Sequence, residues 1–571
     1  MLRFFLASVI LFILLGGSAS AGQVSGVVTL FNQETSKHIE SLLSSRGSGV
    51  SPIIGVSRLL SHDQIFKLYQ EREFVPLWLD GWQLKPGSLV LLANLRDAGA
   101  HGLCGDDYLL VQLEGLIRLQ EDFAHNNLPL APQNRAVLDL FLSQAFLTFA
   151  THMIEGQVDP NLAHVDWRAR QRKVDLVKLL GYALDNSRMQ QVLEGLYPPH
   201  EEYRALVGAL ARYQELSALG GWPTIPSGPA IRPGGRDRRV RQLKKLLQVT
   251  GDLVIPGETG DRYDQETVGA VMQFQARHGL VDDGVVGTKT LVALNIPVDQ
   301  RIHQIELNLE RWRWMPKSFG KRHIRINVAD FKLTVIDNDE IVLQMPVIVG
   351  TQYRKTPVFS ARMTYLEFAP YWTVPPTILR EDKLPIIKRN PDYLAEHHFR
   401  IVAGGEDTFI DPEEIDWQNV KAENFPGQLR MDPGPWNPLG RVKFMFPNRF
   451  NVDVHDTNQS YLFDNNVRSF SSGCIRIERP GELAYYLLAE ELGAERLNEL
   501  LAASEPEQVP IEPVSIHIQY WTAWVDQGGD VNFRPDVYFR DLDLEVALKN
   551  PAYRVMEQLQ ASAGKRLAMA D

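Results

Sequence analysis

The chain has 571 residues, a formal net charge of −11 and 44% hydrophobic residues. One hydrophobic core rarely organises a chain of this length, so we expect about three or four modules. The negative charge, with no basic cluster to reverse it, argues against a nucleic acid or an anionic membrane held by bulk charge.

The first 21 residues have the pattern of a secretory signal peptide. Arg3 supplies a positive charge, Phe4 to Leu15 are apolar, and Ala19 to Ala21 offer small residues for cleavage. An uncleaved anchor is the alternative, because residues 2–21 could almost span a bilayer. In either case we expect the rest of the chain in the periplasm or cell envelope, with no other stretch long and apolar enough to span a membrane.

Helical periodicity and then a loop-rich break follow the targeting segment. Apolar residues recur at helical spacing in stretches such as 138–149 and 189–196, which predicts a helical scaffold domain over residues 22–219. Glycine and proline are frequent between 220 and 236, which predicts a linker. Nothing in either segment requires chemistry.

Residues 237–298 have the pattern of a small three-helix module. The first predicted helix covers 240–247, the second begins after the candidate N-cap Asp264, and the third covers 291–294. His278 stands alone beside a glycine, so we interpret it as a turn residue rather than a metal ligand.

Strand patterns dominate residues 299–505. Alternating apolar residues begin at Ile324, and the turn signal at 337–339 predicts a hairpin. Between 377 and 430 the composition becomes charged, which predicts a helical insertion that caps the domain. Residues 506–571 remain as a C-terminal extension, and the whole pattern predicts a multidomain α+β protein.

The run from Ser471 to Arg476 contains the group with the clearest catalytic potential, the thiol of Cys474. A nucleophilic thiol needs a base and main-chain donors for the oxyanion that it creates. His455, upstream, is the candidate base. Gly473 lets a substrate carbonyl approach the main chain, so the amides of Gly473 and Cys474 are the candidate donors. The run predicts a cysteine acyl-transfer site.

The residues before the histidine favour a strand. Apolar and polar residues alternate over 450–455, so a strand would bury Phe450, Val452 and Val454. The same alternation places His455 on the polar face with Asp453, at a strand end that faces a cleft.

A disulfide is the alternative fate of the thiol, because the chain has two cysteines, Cys104 and Cys474. The surroundings favour a free nucleophile, since Cys474 has a candidate base and a nearby Arg476 expected to lower the pKa of the thiol. With no cluster of Cys or His at ligand spacing, we expect no metal and no other cofactor. The adjacent His397 and His398 are predicted at the surface.

This pattern resembles the L,D-transpeptidases with a YkuD-type catalytic domain, whose signature is a histidine, a polar linker and then Ser/Thr-x-Gly-Cys. The resemblance extends over nearly the whole chain to a large-domain branch with an N-terminal scaffold and a peptidoglycan-binding-like module. Further matching segments are Pro370–Pro376, Gly434–Gly440 and Thr522–Asp526. Ser472 stands where the commonest family form has histidine, although serine is usual in the large-domain branch.

The resemblance implies a reaction on peptidoglycan stem peptides. His455 takes the thiol proton, and Cys474 attacks the third-residue carbonyl of a tetrapeptide and releases D-alanine. An amine of a neighbouring stem then forms a cross-link between two third-position residues. The family uses a main-chain carbonyl to orient the histidine, which makes Asp456 the candidate, and carbapenem-type β-lactams are implied to acylate Cys474. A thiol hydrolase on the same site and a non-catalytic wall-binding protein are the alternatives.

Further residues are candidate substrate contacts. Arg476 either holds a substrate carboxylate or pairs with Glu478, and both alternatives stay open. Ser471 and Ser472 flank the nucleophile, and Trp372 either lines the groove or packs in a core. Other wall-synthesis proteins are further expected partners.

Overall fold

The computed structural model describes residues 21–44, 53–54, 57–58, 61–81, 83–125, 130–163, 167, 174–254, 260–404 and 408–550. The predicted signal peptide lies outside these residues except for Ala21, and so do residues 551–571 of the predicted extension. The predicted fold class is confirmed, because a helical N-terminal domain, a small helical module and a β-rich domain follow one another.

Helices build the N-terminal domain. They are α1 (Ala21–Ser44), α2 (His62–Gln70), α3 (Pro86–Arg96), α4 (Leu110–His125), α5 (Pro132–Glu155), α6 (Pro160–Ala163), α7 (Leu176–Asp185), α8 (Met189–Glu194) and α9 (Glu201–Ala218). Short strands pair as two hairpins, β1 (Ile53–Ile54) with β2 (Ser57–Arg58) and β3 (Leu79–Asp80) with β4 (Gln83–Leu84). Helices α3 and α5 begin with proline. Proline is tolerated there because the first N–H groups of a helix have no hydrogen-bond partner within the helix.

Helix α5 forms the centre of this domain. Among the described residues, this helix is long and apolar enough to cross a bilayer. The expectation that no segment after the signal peptide could do so is therefore wrong. However, 94% of its most apolar 18-residue stretch is buried inside the protein. Asp139 within it accepts the main-chain N–H groups of Leu77 and Trp78 at 2.8 and 2.9 Å. We therefore assign α5 as the core helix around which the domain packs.

The three-helix prediction for the module is confirmed. Its helices are α10 (Val240–Thr250), α11 (Gln265–Arg277) and α12 (Thr288–Leu294). The Asp264 side chain caps α11 by accepting a main-chain N–H of the first turn at 3.0 Å. His278 is buried and stacks on Phe274 with ring centroids 3.8 Å apart. The predicted linker packs against the module, because Ile225 and Ile231 are buried in its core.

In the described part of the chain, eight strands of the β-rich domain close into a ring. In hydrogen-bonded order they are β7 (Glu340–Gly350), β16 (Ile475–Ile477), β14 (Val454–His455), β13 (Val442–Met445), β8 (Phe359–Phe368), β17 (Glu507–Gln519), β5 (Arg322–Asn327) and β6 (Lys332–Asp337), and β6 returns to β7. A further strand, β15 (Ser469–Ser471), runs parallel to β7. Because each strand of the ring has neighbours on both sides, β14 and β16 are held firmly in place.

Two features of this sheet bear on the predictions. Asn338 and Asp339, between β6 and β7, have φ angles of 49° and 68°, as a tight hairpin turn requires. Strand β17 pairs with β8 and β5 inside the sheet, although we assigned it to the C-terminal extension. The boundary predicted at residue 505 is therefore wrong, because it divides the sheet.

The insertion at 377–430 is only partly helical, which corrects the prediction. Its helices are α14 (Pro376–Ile378), α15 (Leu384–Ile387) and α16 (Tyr393–Glu396). An antiparallel sheet runs in the order β11 (Thr408–Ile410), β10 (Phe399–Ala403), β12 (Gln428–Met431) and β9 (Trp372–Thr373). Charged strand residues such as Arg400 and Arg430 hide the alternation in the sequence. The insertion has its own apolar core around Ile387 and Leu429, and we call it the cap.

The remaining elements join the domains. They are α13 (Val298–Arg313), α17 (Pro480–Leu501), β18 (Ala523–Val525), β19 (Val531–Phe533) and α18 (Arg540–Lys549). The Arg534 guanidinium lies 2.7 Å from the Asp330 carboxylate and donates to the Arg277 carbonyl at 2.9 Å. This residue therefore connects the extension, the sheet and the module. A cavity of about 1250 Å³ lies between α12, α13 and α18, away from Cys474.

Candidate active site

Cys474 lies in the tight connection between β15 and β16. Gly473 before it has φ = +120°, a conformation that side chains rarely adopt. The Ser471 hydroxyl donates to the Cys474 carbonyl at 2.5 Å and accepts the Gly473 N–H at 3.1 Å. Buried Ser471 thus shapes the connection that presents the thiol, and its predicted contact with a substrate stays a prediction.

His455 ends β14, beside the nucleophile. Strands β14 and β16 are parallel, with Val454 opposite Ile475 and His455 opposite Arg476. The buried pair Val454 and Ile475 anchors this register in the core. The strand predicted over 450–455 is shortened to its last two residues, because Asn451 has φ = 53° and forms a turn.

The imidazole of His455 is buried and oriented by main chain. Its Nδ1 lies 2.5 Å from the carbonyl oxygen of Asp456, so Nδ1 carries the hydrogen and Nε2 has the free lone pair. The Asp456 carboxylate accepts the N–H groups of Arg441 and Thr457 at 2.9 and 2.7 Å. Gly440 is required beside it, since a Cβ there would come within 2.4 Å of the carboxyl carbon.

The thiol and the imidazole are close enough to exchange a proton after a small movement. Ligand atoms of Cys474, His455 and Asp453 all lie within 4.8 Å of one another. Burial lowers the pKa of His455 to about 4. The Asp453 carboxylate opposes this shift, and the Arg476 charge adds to it. Burial also raises the pKa of the Cys474 thiol, and the Asp453 carboxylate raises it further. The expectation that Arg476 lowers the thiol pKa is wrong, because desolvation and the Asp453 carboxylate raise that pKa. The thiol and the imidazole are therefore both neutral at rest.

Asp453 is the residue whose importance sequence reasoning missed. One carboxylate oxygen lies 3.2 Å from the Lys443 ammonium, which lies 3.7 Å from Glu367. The other oxygen is buried, and the Cys474 thiol makes a hydrogen bond with this carboxylate. The alternation over 450–455 already placed Asp453 on the same strand face as His455, and that signal could have identified it.

The candidate oxyanion donors are not equivalent. The Gly473 N–H is used by the Ser471 hydroxyl, so it is not free to receive an oxyanion in this conformation. The Gly473 carbonyl accepts from the Thr356 hydroxyl at 2.8 Å, which holds the peptide plane. The Cys474 N–H remains the candidate donor.

The other predicted substrate residues have diverse surroundings. Arg476 is half-buried and donates to Gln459 at 2.7 Å, whereas Glu478 pairs with Arg479, so the proposed Arg476–Glu478 pair is wrong. Trp372 packs against the core of the cap, with its ring 5.8 Å from that of Phe399. The structure therefore favours the core alternative for Trp372 over the groove.

A residue that the sequence gave no reason to select, Arg354, joins the cap to the nucleophile loop. Its guanidinium makes two bonds to Asp382, at 2.7 and 2.9 Å, and one to Glu381 at 2.7 Å. It also donates to the exposed Ser472 hydroxyl at 2.9 Å. His398 is exposed, as predicted, and stacks on Trp436 with ring centroids 3.7 Å apart. This stacking is a second contact of the cap, with the segment that precedes β13.

The disulfide alternative is not supported. Both cysteines are free, Cys104 on an exposed surface and Cys474 half-buried beside His455. The Cys474 sulfur is therefore not held in a disulfide, and it makes a weak bond to the Asn451 carbonyl at 3.9 Å.

Comparison with protein families assigns the domains. The L,D-transpeptidase catalytic domain model YkuD matches residues 321–497, which include Cys474, His455 and the cap. The chain carries a YkuD-type L,D-transpeptidase catalytic domain. A "Scaffold domain" matches residues 63–210 and a "Putative peptidoglycan binding domain" matches residues 236–294. The family resemblance predicted from the Cys474 motif is thereby confirmed.

Two known proteins are similar to this L,D-transpeptidase-domain chain. A "Putative L,D-transpeptidase" of Haemophilus influenzae is 33% identical over 246 residues, which are 43% of this chain and 49% of the relative. The chain thus spans about half the length of that relative. The L,D-transpeptidase structure from Xylanimonas cellulosilytica is 13% identical and covers 51% of this chain and 98% of its own, with a TM-score of 0.15. Because this TM-score is so low, we draw no conclusion from the likeness.

Proposed function

We propose that this protein is a cysteine L,D-transpeptidase of the periplasm or cell envelope that cross-links third-position residues of peptidoglycan stems. The observation that carries the proposal is the placement of the Cys474 thiol within 4.8 Å of an imidazole whose tautomer is set by the Asp456 carbonyl. A thiol beside an oriented neutral base is the arrangement that acyl transfer needs.

The first half-reaction forms a thioester. Nε2 of His455 takes the proton of the Cys474 thiol while the sulfur attacks the third-residue carbonyl of a stem tetrapeptide. The Cys474 N–H receives the oxyanion. The protonated imidazole then gives its proton to the leaving nitrogen, and D-alanine departs as a neutral amine. Because the resting thiol and imidazole are both neutral, proton transfer accompanies the attack instead of preceding it.

The second half-reaction consumes the thioester. A neutral side-chain amine of a neighbouring stem attacks the acyl carbon, His455 accepts the amine proton, and the thiolate leaves and is reprotonated. Water competes with the amine at this stage. The cap contacts the nucleophile loop through Arg354 and the segment before β13 through the stacking of His398 on Trp436. It favours transfer because it limits water near the acyl carbon.

Incubation of the purified chain with disaccharide-tetrapeptide, followed by mass spectrometry of the products, tests the proposal. The expected product is a dimer that has lost one D-alanine, formed by wild type and by Cys104→Ala but not by Cys474→Ala. Tripeptide without dimer would assign the chain as a thiol hydrolase instead. Unchanged substrate under all conditions would refute both enzymatic functions and favour a wall-binding protein.

A further inference from the structure

Asp453, His455 and Cys474 together offer one carboxylate, one imidazole and one thiol within 4.8 Å of one another. We propose that these three side chains bind a Zn²⁺ ion, which blocks the nucleophile reversibly. The blocking effect rests on the proposed function, whereas zinc binding does not. The sequence pattern places Asp453 and His455 on one strand face, and the parallel pairing of β14 with β16 brings Cys474 to them.

The donor atoms suit zinc. Zinc prefers sulfur at about 2.3 Å and imidazole nitrogen at about 2.0 Å, so ligand atoms in its sites lie roughly 3–4 Å apart. The observed group needs to contract by about 1 Å to reach that spacing. Cys474 lies in the connection between β15 and β16 and not within a strand, so a change of its side-chain rotamer is the movement that would bring the sulfur closer.

Two of the ligands are already oriented by groups behind them. Nδ1 of His455 is held by the Asp456 carbonyl at 2.5 Å, which leaves Nε2 as the nitrogen available to a metal. Lys443 holds one oxygen of Asp453 at 3.2 Å, and the other oxygen is buried. Hydrogen bonds of this kind orient ligands in known metal sites. A bound ion would replace the hydrogen bond that the Cys474 thiol makes with this carboxylate.

The charges around the site limit its affinity. Lys443 and Arg476 are positive and lie close to the ligands, while Glu367 lies beyond Lys443. The three side chains supply three ligands, so a fourth position would be filled by water or a substrate group. We therefore expect weaker binding than in a closed site with four protein ligands. Binding forms a Zn–S bond, releases the thiol proton to solvent and oxidises nothing.

Thiol alkylation provides the test, with Cys104 as an internal control. The full-length protein is treated with iodoacetamide with and without ZnCl₂, and the alkylation of each cysteine is followed by peptide mass spectrometry. We expect zinc to slow alkylation of Cys474 at least about tenfold and to leave exposed Cys104 unchanged. Equal alkylation of Cys474 with and without zinc would overturn the proposal, and this result needs no variant to fold.

A competition titration against a chromophoric zinc chelator identifies the ligands. Wild type is expected to bind one zinc per chain, and Asp453→Asn and Asp453→Ala to bind it at least about tenfold more weakly. Wild-type zinc affinity in both variants would remove Asp453 from the site. Cross-linking by chelator-treated protein is measured separately, so a failed zinc site and a failed transpeptidase are distinguishable.

Discussion

Nδ1 of His455 lies 2.5 Å from the main-chain oxygen of Asp456, so a backbone atom and not a carboxylate orients the candidate base. We expect Asp456→Asn to retain cross-linking within about threefold, because the carbonyl is unchanged. His455→Asn removes the base and is expected to lower kcat by about 10²–10⁴-fold. Steady-state kinetics of dimer formation distinguishes the two. A loss in Asp456→Asn as large as in His455→Asn would assign the carboxylate a direct role.

Cys474→Ala is expected to abolish dimer formation and leave folding intact, since it removes only the sulfur atom of a small side chain. Product analysis measures the activity, and the thermal midpoint measures the stability. Cys104→Ala is the matched control and should have wild-type activity. Dimer formed by Cys474→Ala would refute the proposed nucleophile.

Acidification should destabilise the protein partly through His455. Burial lowers the pKa of His455 from 6.5 to about 4, so between these values the unfolded chain binds a proton that the folded chain does not. Stability is therefore fully present above pH 6.5 and is lost as the pH falls toward 4. We expect Tm to drop less between pH 7 and 4.5 in His455→Gln than in wild type. The pKa of His517 is lowered similarly, but its contribution is the same in both proteins and cancels in the comparison. Equal drops in Tm for wild type and His455→Gln would contradict the lowered pKa of His455.

Arg354→Ala should release the cap from the nucleophile loop, because it removes the bonds to Asp382, Glu381 and Ser472. More water then reaches the thioester, and the ratio of dimer to tripeptide product should fall several-fold. Arg380→Ala is the control, since Arg380 pairs with Glu381 but has no described bond to the nucleophile loop. A product ratio unchanged in Arg354→Ala would show that this link does not exclude water.

Carbapenem-type β-lactams are expected to acylate Cys474, as the family resemblance implies. Intact-protein mass spectrometry should show one adduct on wild type and on Cys104→Ala, and none on Cys474→Ala. An adduct that persists in Cys474→Ala would place the reactive group elsewhere.

The sequence predicted the parts of the site that local patterns encode. Cys474, Gly473 and His455 stand in a short motif, and Asp264 and the turn at Asn338 follow local rules of capping and hairpin geometry. The role of Arg354 was not predictable, because its partners are Asp382 and Ser472, far away in sequence. Long-range contacts of this kind depend on the closed sheet and leave no periodic signal.

The electrostatics of the site escaped prediction for a related reason. The sequence placed Arg476 two residues after Cys474 and so predicted a lowered thiol pKa. Desolvation and the Asp453 carboxylate reverse the sign, and neither is visible before β14 and β16 are paired. The same reasoning explains why the cap was taken as helical, since its strands pair residues from 372 to 431.

The position of β17 makes closure of the ring depend on a late part of the chain. Residues 507–519 form the strand between β8 and β5, so β8 and β5 each have an open edge until this segment pairs with them. Cys474 and His455 precede this segment in the sequence, so a truncation before residue 507 would retain both residues and still leave the ring open.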